Sequence, residues 1–238
     1  MSDHLPLVEE LPSTLDSEQA FRALASLPHV LFLDSAQRDP QLGRYSFVTA
    51  DPFSFLRVSV NGNDPLAQLR RLLSGWETET RSPLPPFQGG AAGLFSYDLC
   101  HSLEQIPASR FSEFQTPAVA IGLYDVVVAF DHECERSWII SQGFPATAPG
   151  DRSRRAHQRL DAFRQLLNRP PAAPFEDAPQ PEDVPASRLA PQFQVSGSSD
   201  LTSDFSADGY RQAVRQAVEY VHAGDLFQVN LSQRLLCP

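Results

Sequence analysis

The stretch Phe87–Leu99, FQGGAAGLFSYDL, restricts the possible folds of this chain more than any other. Pro83, Pro85 and Pro86 lead into it, and each fixes φ and removes a backbone donor, so the approach is extended. Small and apolar residues, Ala91, Ala92, Leu94 and Phe95, then run into Tyr97 and Asp98. The pattern predicts a buried central strand entered through a glycine hinge. Gly89, Gly90 and Gly93 remove side chains where another backbone, a large aromatic ring or a ligand must come close. Neither Gly-x-x-x-x-Gly-Lys-Ser/Thr nor Gly-x-Gly-x-x-Gly is present, so this is no phosphate cradle. On residue chemistry alone it is a tightly packed core strand.

Elements to pack around such a strand are readable on both sides of it. Asp16-Ser-Glu-Gln19 has the form of a capping box, followed by Phe21, Leu24 and Leu27 at helical spacing and by Pro28 as a stop. His29–Ser35 and Arg44–Ala50 read as strands joined by a polar turn with Asp39, Pro40 and Gly43, and Phe53–Val60 as a third strand ending at the turn dipeptide Asn61-Gly62. Three strands in succession predict a meandering antiparallel sheet. Asp64 caps a helix with Pro65 at its first position and Leu66, Leu69, Leu73 and Trp76 as its stripe. Ser102–Phe114 reads as a polar irregular connection. Ala118–Asp131 and Arg136–Ser141 predict a hairpin about the acidic apex His132-Glu-Cys-Glu135. A His-Cys-carboxylate apex suggests metal binding, but neighbours on a strand alternate faces, which favours a solvated turn.

Arg152–Leu167 predicts an arginine-rich amphipathic helix with Ala156, Leu160, Phe163 and Leu167 inward. From Arg169 to Asp200 the composition shifts to Pro, Ala, Ser and acid, which predicts a linker or surface excursion. Ser206 then caps a helix whose Ala213, Val214, Ala217, Val218 and Val221 share a face, and Gly224 ends it. Leu226–Leu236 alternates Phe227, Val229 and Leu231 with Gln228, Asn230 and Ser232, which predicts a strand.

Charge and residue usage exclude several functions. A net charge of -10 over 238 residues argues against nucleic acid or an anionic membrane as the main partner. The start, MSDHLPLVEELP, lacks a signal peptide's basic and apolar regions, and no run is long enough to span a membrane, so a cytoplasmic protein is expected. Three widely spaced cysteines suggest reduced thiols and give no zinc spacing. All 19 basic residues are arginine, so a lysine nucleophile, a lysine base or a Walker lysine is excluded within this chain.

Two separated stretches resemble one family. FQGGAAGLFSYDL with Glu104-Gln-Ile-Pro107, and Tyr210–Arg234 with its Ala-Gly-Asp-Leu-Phe-Gln-Val-Asn-Leu-Ser-Gln-Arg core, are similar to the amino-terminal half of the chorismate-utilising enzymes. That family contains aminodeoxychorismate synthase component I (para-aminobenzoate synthase component I) and its relative anthranilate synthase component I. Gln228-Val-Asn-Leu-Ser232 and Phe87-Gln-Gly-Gly resemble the aminodeoxychorismate form. Ser96 departs from the family, which often has glycine there.

The resemblance implies an α+β fold, with antiparallel sheets packed face to face, helices outside, and a carboxy-terminal half completing the sandwich. It implies a domain over 1–168, a Pro-rich linker over 169–200, and the first helix and strand of a chorismate-binding domain over 201–238. In the family, ammonia from a glutamine amidotransferase partner replaces the 4-hydroxyl of chorismate to give 4-amino-4-deoxychorismate for folate synthesis. Mg2+ assists as Lewis acid and template. The family's metal-binding carboxylates and, in the aminodeoxychorismate branch, a nucleophilic lysine lie in the carboxy-terminal half. The resemblance therefore implies no catalytic or metal-ligating residue in these 238 and no activity for this stretch alone. It also implies a tryptophan pocket formed by Leu33, Ser35, Arg44, Tyr45 and Phe47, structural in one branch and a feedback site in the other. The plain alternative is that Leu33, Tyr45 and Phe47 are core and Ser35 ends a strand.

Overall fold

A computed structural model of the protein describes residues 5–37, 39, 42–60, 64–108, 110–111, 114–169 and 188–237. The chain divides into two units, one of residues 1–106 with 116–179 and one of 107–115 with 180–238.

In the first unit, helix α1 (Ser17–Leu24) starts where its capping box places it. The Asp16 carboxylate accepts from the Gln19 N–H at 2.7 Å and the Gln19 amide oxygen accepts from the Asp16 N–H at 3.2 Å, satisfying two orphan donors. Strands β1 (Leu7–Leu11), β2 (Leu31–Leu33) and β3 (Tyr45–Thr49) belong to a five-stranded antiparallel sheet completed by β7 (Val126–Asp131) and β8 (Arg136–Ser141), in the order β1-β8-β7-β3-β2. Helix α3 (Pro149–Leu167) turns the four residues expected, Ala156, Leu160, Phe163 and Leu167, inward. With Ala20 and Leu24 of α1 they bury Val48, Val126, Val128, Phe130 and Ile139, one full face of the sheet. Each large side chain so buried contributes roughly 1.5–3 kcal/mol.

A second sheet joins β4 (Ser54–Val58), β6 (Val119–Tyr124) and β5 (Gly90–Phe95) in the order β4-β6-β5. Helix α2 (Pro65–Leu73) precedes β5, with the Asp64 carboxylate accepting from the Ala67 N–H at 2.9 Å. The second unit contains helix α4 (Ala207–Ala223), capped by Ser206 and ended by Gly224 in the left-handed region. It also contains three two-residue strands, β9 (Phe193–Gln194), β10 (Thr202–Ser203) and β11 (Leu235–Leu236), in the order β11-β10-β9.

The architecture is the expected α+β arrangement of antiparallel sheets and helices, but five local readings change. The three-strand meander does not form: at Asp51, whose φ is +50°, the chain leaves the first sheet, so β3 pairs with β2 and β7 while β4 pairs with β6. The apolar run from Ala118 to Asp131 is two strands in different sheets, broken at Asp125. The Gly-rich strand β5 is an edge, not a centre; it pairs only with β6 among the described strands, and its residues are largely exposed. Its glycine logic nevertheless holds at Gly93, where φ is +151° and a Cβ would lie 2.1 Å from the Ala120 carbonyl oxygen. Over Leu226–Leu236 only the last two residues are strand, because no described strand lies beside 226–234 to accept a ladder, and Phe227 is 96% exposed. Finally, Phe193–Gln194, within the stretch read as irregular, pairs with β10. Residues 170–187 of that stretch, and the Asn61-Gly62 turn, lie outside the described residues.

Candidate functional site

The five candidate residues lie at one end of the five-stranded sheet, on or beside the face opposite the helices. Register sets the row: Leu33 stands opposite Phe47, Phe47 opposite Ala129, and Ala129 opposite Trp138. Next to it Tyr45 stands opposite Asp131, and Asp131 opposite Arg136. Because strand side chains alternate, Tyr45 and Phe47 share this face while Ser46 and Val48 point to the helix side. The tilted rings of Tyr45 and Phe47 are 6.1 Å apart. Phe87 meets Phe47 edge-on at 5.7 Å, and Phe87, Leu84 and Val8 pack on Val127, Ala129, Trp138 and Ile140. The inner end of the face is therefore filled by the protein itself, whereas its outer end is open: Leu33 is 46% exposed and Tyr45 and Phe47 are half-buried.

Gln88, buried in the FQGG motif, holds Phe87 and Leu84 in place. Its side-chain oxygen accepts from the Arg81 N–H at 2.9 Å, and its amide donates to the Arg81 carbonyl at 2.9 Å and the Pro85 carbonyl at 3.0 Å. One side chain thus pairs with both backbone groups of Arg81, as a strand partner would, and closes the 81–88 loop. Gln142 donates in turn to the Gln88 carbonyl at 3.0 Å.

Arg44, one of the five residues of the implied pocket, is committed to carboxylates. Its Nε lies 3.0 Å and 3.1 Å from the two Asp131 oxygens, Nη2 lies 2.6 Å from Asp131 Oδ2, and Nη1 lies 2.9 Å from Glu133. The hydrogen bonds to Asp131 push the guanidinium further above its ordinary range. Its planar face lies 5.0 Å over the Tyr45 ring, a cation–π contact that orients the phenol. Burial acts to raise the Asp131 carboxyl, yet the Arg44 fork and the N–H groups of Cys134 and Glu133 hold it below the usual carboxylate range.

Ser35 donates its hydroxyl proton to the Tyr45 carbonyl at 2.5 Å, so towards a ligand its oxygen can act as an acceptor. The structure therefore brings together an apolar ledge (Leu33, Tyr45, Phe47), a serine oxygen and an ion-paired arginine. Such a set suits an aromatic amino acid: the ledge takes the ring, and the polar rim meets the head group. Motif reading missed Asp131 and the buried Ser46, whose long-range partners leave no local spacing signal, and it gave no role to Gln88, whose side-chain partners lie within seven residues.

Two clefts lie elsewhere in this unit. One of about 470 Å3 is lined by Pro6, Leu7, Val8 and Arg81–Leu84, and one of about 270 Å3 by residues including Phe53, Trp76, Phe144 and Gln142. None of the five candidates lines either. Among the described residues no group of three or more His, Cys, Asp or Glu is disposed to hold a metal ion. The arginines of α3 do not form a free basic patch: Arg154 pairs with Asp151, Arg159 with Asp51 and Asp125, and Arg164 with Asp161 and Glu9.

Compared with known proteins, residues 35–238 match the model of the chorismate binding enzyme family. Aminodeoxychorismate synthase component 1 of Bacillus subtilis is 29% identical over 250 residues, covering 98% of this chain and 48% of that protein. The Escherichia coli protein of the same name is 28% identical over 232 residues, covering 92% and 44%. Anthranilate synthase component 1 of Thermus thermophilus is 32% identical over 231 residues, covering 92% and 44%. The crystal structure of anthranilate synthase component I from Streptococcus pneumoniae superposes with a TM-score of 0.52 at 23% identity, covering 90% of this chain and 45% of that one, a likeness of fold. The chain spans about half the length of the curated relatives it matches.

Proposed function

The chain belongs to the chorismate binding enzyme family, and on that premise we propose that it is the amino-terminal part of an aminodeoxychorismate synthase component I. The complete enzyme would replace the 4-hydroxyl of chorismate with ammonia supplied by a glutamine amidotransferase subunit, yielding 4-amino-4-deoxychorismate on the route to folate. The observation that carries this reading is the match of 98% of the chain to a protein of that name. The Gln228-Val-Asn-Leu-Ser232 form supports it.

Within that reading this stretch is a scaffold and a binding module, not the reaction centre. It has no lysine to act as nucleophile. In this reading the Mg2+ of the complete enzyme is held by carboxylates of its carboxy-terminal half, as the family resemblance implies. The module would take tryptophan on the ledge of Leu33, Tyr45 and Phe47, with Ser35 at the head group and Arg44 orienting Tyr45. No helix among the described residues is long and apolar enough to cross a membrane, and a cytoplasmic location is part of the proposal. The domain division at 168 and 200 is likewise proposed, with the chorismate-binding part beginning at 201.

Two measurements test the proposal. Chorismate with ammonium, incubated with the full-length polypeptide, is expected to give 4-amino-4-deoxychorismate, and with residues 1–238 alone to give none. Fluorescent anthranilate as product would instead establish the anthranilate branch, to which the 32% identical Thermus thermophilus protein belongs by name. Calorimetry with L-tryptophan on the folded chain is expected to show saturable binding, and absence of heat would remove the module.

A further inference from the structure

We propose that Ser46 and His132, on the side of the sheet away from the ledge, position Ser35 for the head group of the bound amino acid. This rests on the tryptophan reading above. The ladder between β2 and β3 ends at the pair Leu33 and Phe47, so Asp34 and Ser35 lie beyond it. Side chains there replace the missing ladder bonds. Ser35 donates through its hydroxyl to the Tyr45 carbonyl at 2.5 Å, and its N–H donates to Ser46 Oγ at 3.1 Å.

Ser46 is fully buried. Its oxygen lies 2.8 Å from Asp34 Oδ1 and 2.7 Å from His132 Nε2. A hydroxyl has one proton and two lone pairs. The carboxylate takes the proton, and the lone pairs accept from the Ser35 N–H and from His132, which must therefore carry hydrogen on Nε2. The capacity of Ser46 is filled by three groups, and two of them are the residues that follow β2. His132 is anchored independently, its N–H donating to the Arg44 carbonyl at 2.8 Å. Ser46 thus clamps the end of β2 to the β7–β8 turn, and the serine oxygen at the ledge inherits its position from that clamp. The apolar ledge itself, on the opposite face, does not depend on it.

This separation gives the test. L-Tryptophan and indole are titrated calorimetrically into the chain and into S46A, H132L and H132Q, with folding followed by circular dichroism. S46A and H132L are expected to lose about tenfold in tryptophan affinity, the effect of a lost buried hydrogen bond, while indole binding changes less than about twofold. H132Q, which keeps an N–H donor, is expected to return towards the parent. Equal losses for both ligands would reduce the clamp to general packing, and parent-like tryptophan binding by S46A and H132L would overturn the inference while leaving the pocket. If the parent binds neither ligand, the tryptophan reading falls and takes the inference with it. Should S46A fail to fold, the pair H132L and H132Q decides, since His132 lies on a half-buried turn.

Discussion

Arg159→Met is the most informative single change to the scaffold. Asp125 stands where the chain passes from β6 in one sheet to β7 in the other, and it is fully buried. Arg159 Nε lies 3.2 Å from Asp125 Oδ1, its Nη1 lies 2.5 Å from Asp51 Oδ2, and its Nη2 donates to the Asp51 carbonyl at 2.7 Å. Arg155 reaches only to 3.7 Å of Asp125 Oδ2, which has no hydrogen-bond partner among the described residues. Methionine keeps most of the stem and removes the charge, leaving a buried carboxylate with one distant partner. Breaking a buried pair in this way costs about 3–5 kcal/mol, a large share of a domain's usual stability of about 5–15 kcal/mol. The sign with pH follows from Asp125, whose pKa burial raises against the opposing charges of Arg159 and Arg155. A raised folded-state pKa means the fold holds the proton more tightly than the unfolded chain, so stability falls as pH rises through the carboxylate range and above. Loss of Arg159 extends that fall, and the variant's deficit should be larger at pH 8 than at about pH 5. Urea unfolding at both values measures it. A deficit under about 1 kcal/mol, or one equal at the two pH values, would refute the assignment of Arg159 as the neutralising partner.

Other changes probe single features. Gly93→Ala forces a Cβ to within 2.1 Å of the Ala120 oxygen at φ +151°; backbone strain alone should cost about 1–3 kcal/mol, seen as a lower Tm with faster amide exchange in β5 and β6. Phe163→Ala, at 1% exposure under the first sheet, should cost about 3–5 kcal/mol in urea unfolding. Asp131, held below the ordinary carboxylate range, contributes stability present above that range and lost as pH falls through its folded value; Asp131→Asn should flatten acid unfolding below about pH 4. Ser206→Ala removes the hydroxyl that accepts from the Gly209 N–H at 3.0 Å and should cost α4 about 1 kcal/mol, read as lost helicity by circular dichroism.

Local chemistry made the helices legible. Asp16, Asp64 and Ser206 each satisfy a donor within three residues, so the cap and its partner sit in one window of sequence. Strand pairing is a different problem. Phe53–Val60 has the same alternation whether it pairs with β3 or with β6, and what decides is the turn of the chain at Asp51, fixed by residues far away. Asp125 shows the same limit. Between Tyr124 and Val126 it is one polar residue in an apolar run, and only Arg159, 34 positions on, makes it a corner. The edge position of the Gly-rich strand is hidden for a related reason: small apolar residues signal close approach, which Gly93 confirms, but not whether one edge or both are paired.

The candidate pocket divides along the same line. Leu33, Tyr45 and Phe47 share a face because of alternation alone, and alternation is visible in sequence. The groups that orient them are not. Asp131 engages Arg44 across 87 positions and His132 engages Ser46 across 86, through the turn read as solvated. An acidic apex with a histidine gives the same string of letters whether it faces water or clamps a neighbouring strand. Arg44 makes the consequence concrete. Read alone, an arginine beside two aromatic residues is an anion anchor, but ringed by Asp131 and Glu133 its charge is already balanced, and its remaining contribution is to hold Tyr45. In the proposed reading a ligand's carboxylate would find its donors elsewhere, and its ammonium group would meet the Ser35 oxygen. On this geometry the amino group, more than the carboxylate, should govern selectivity at the ledge.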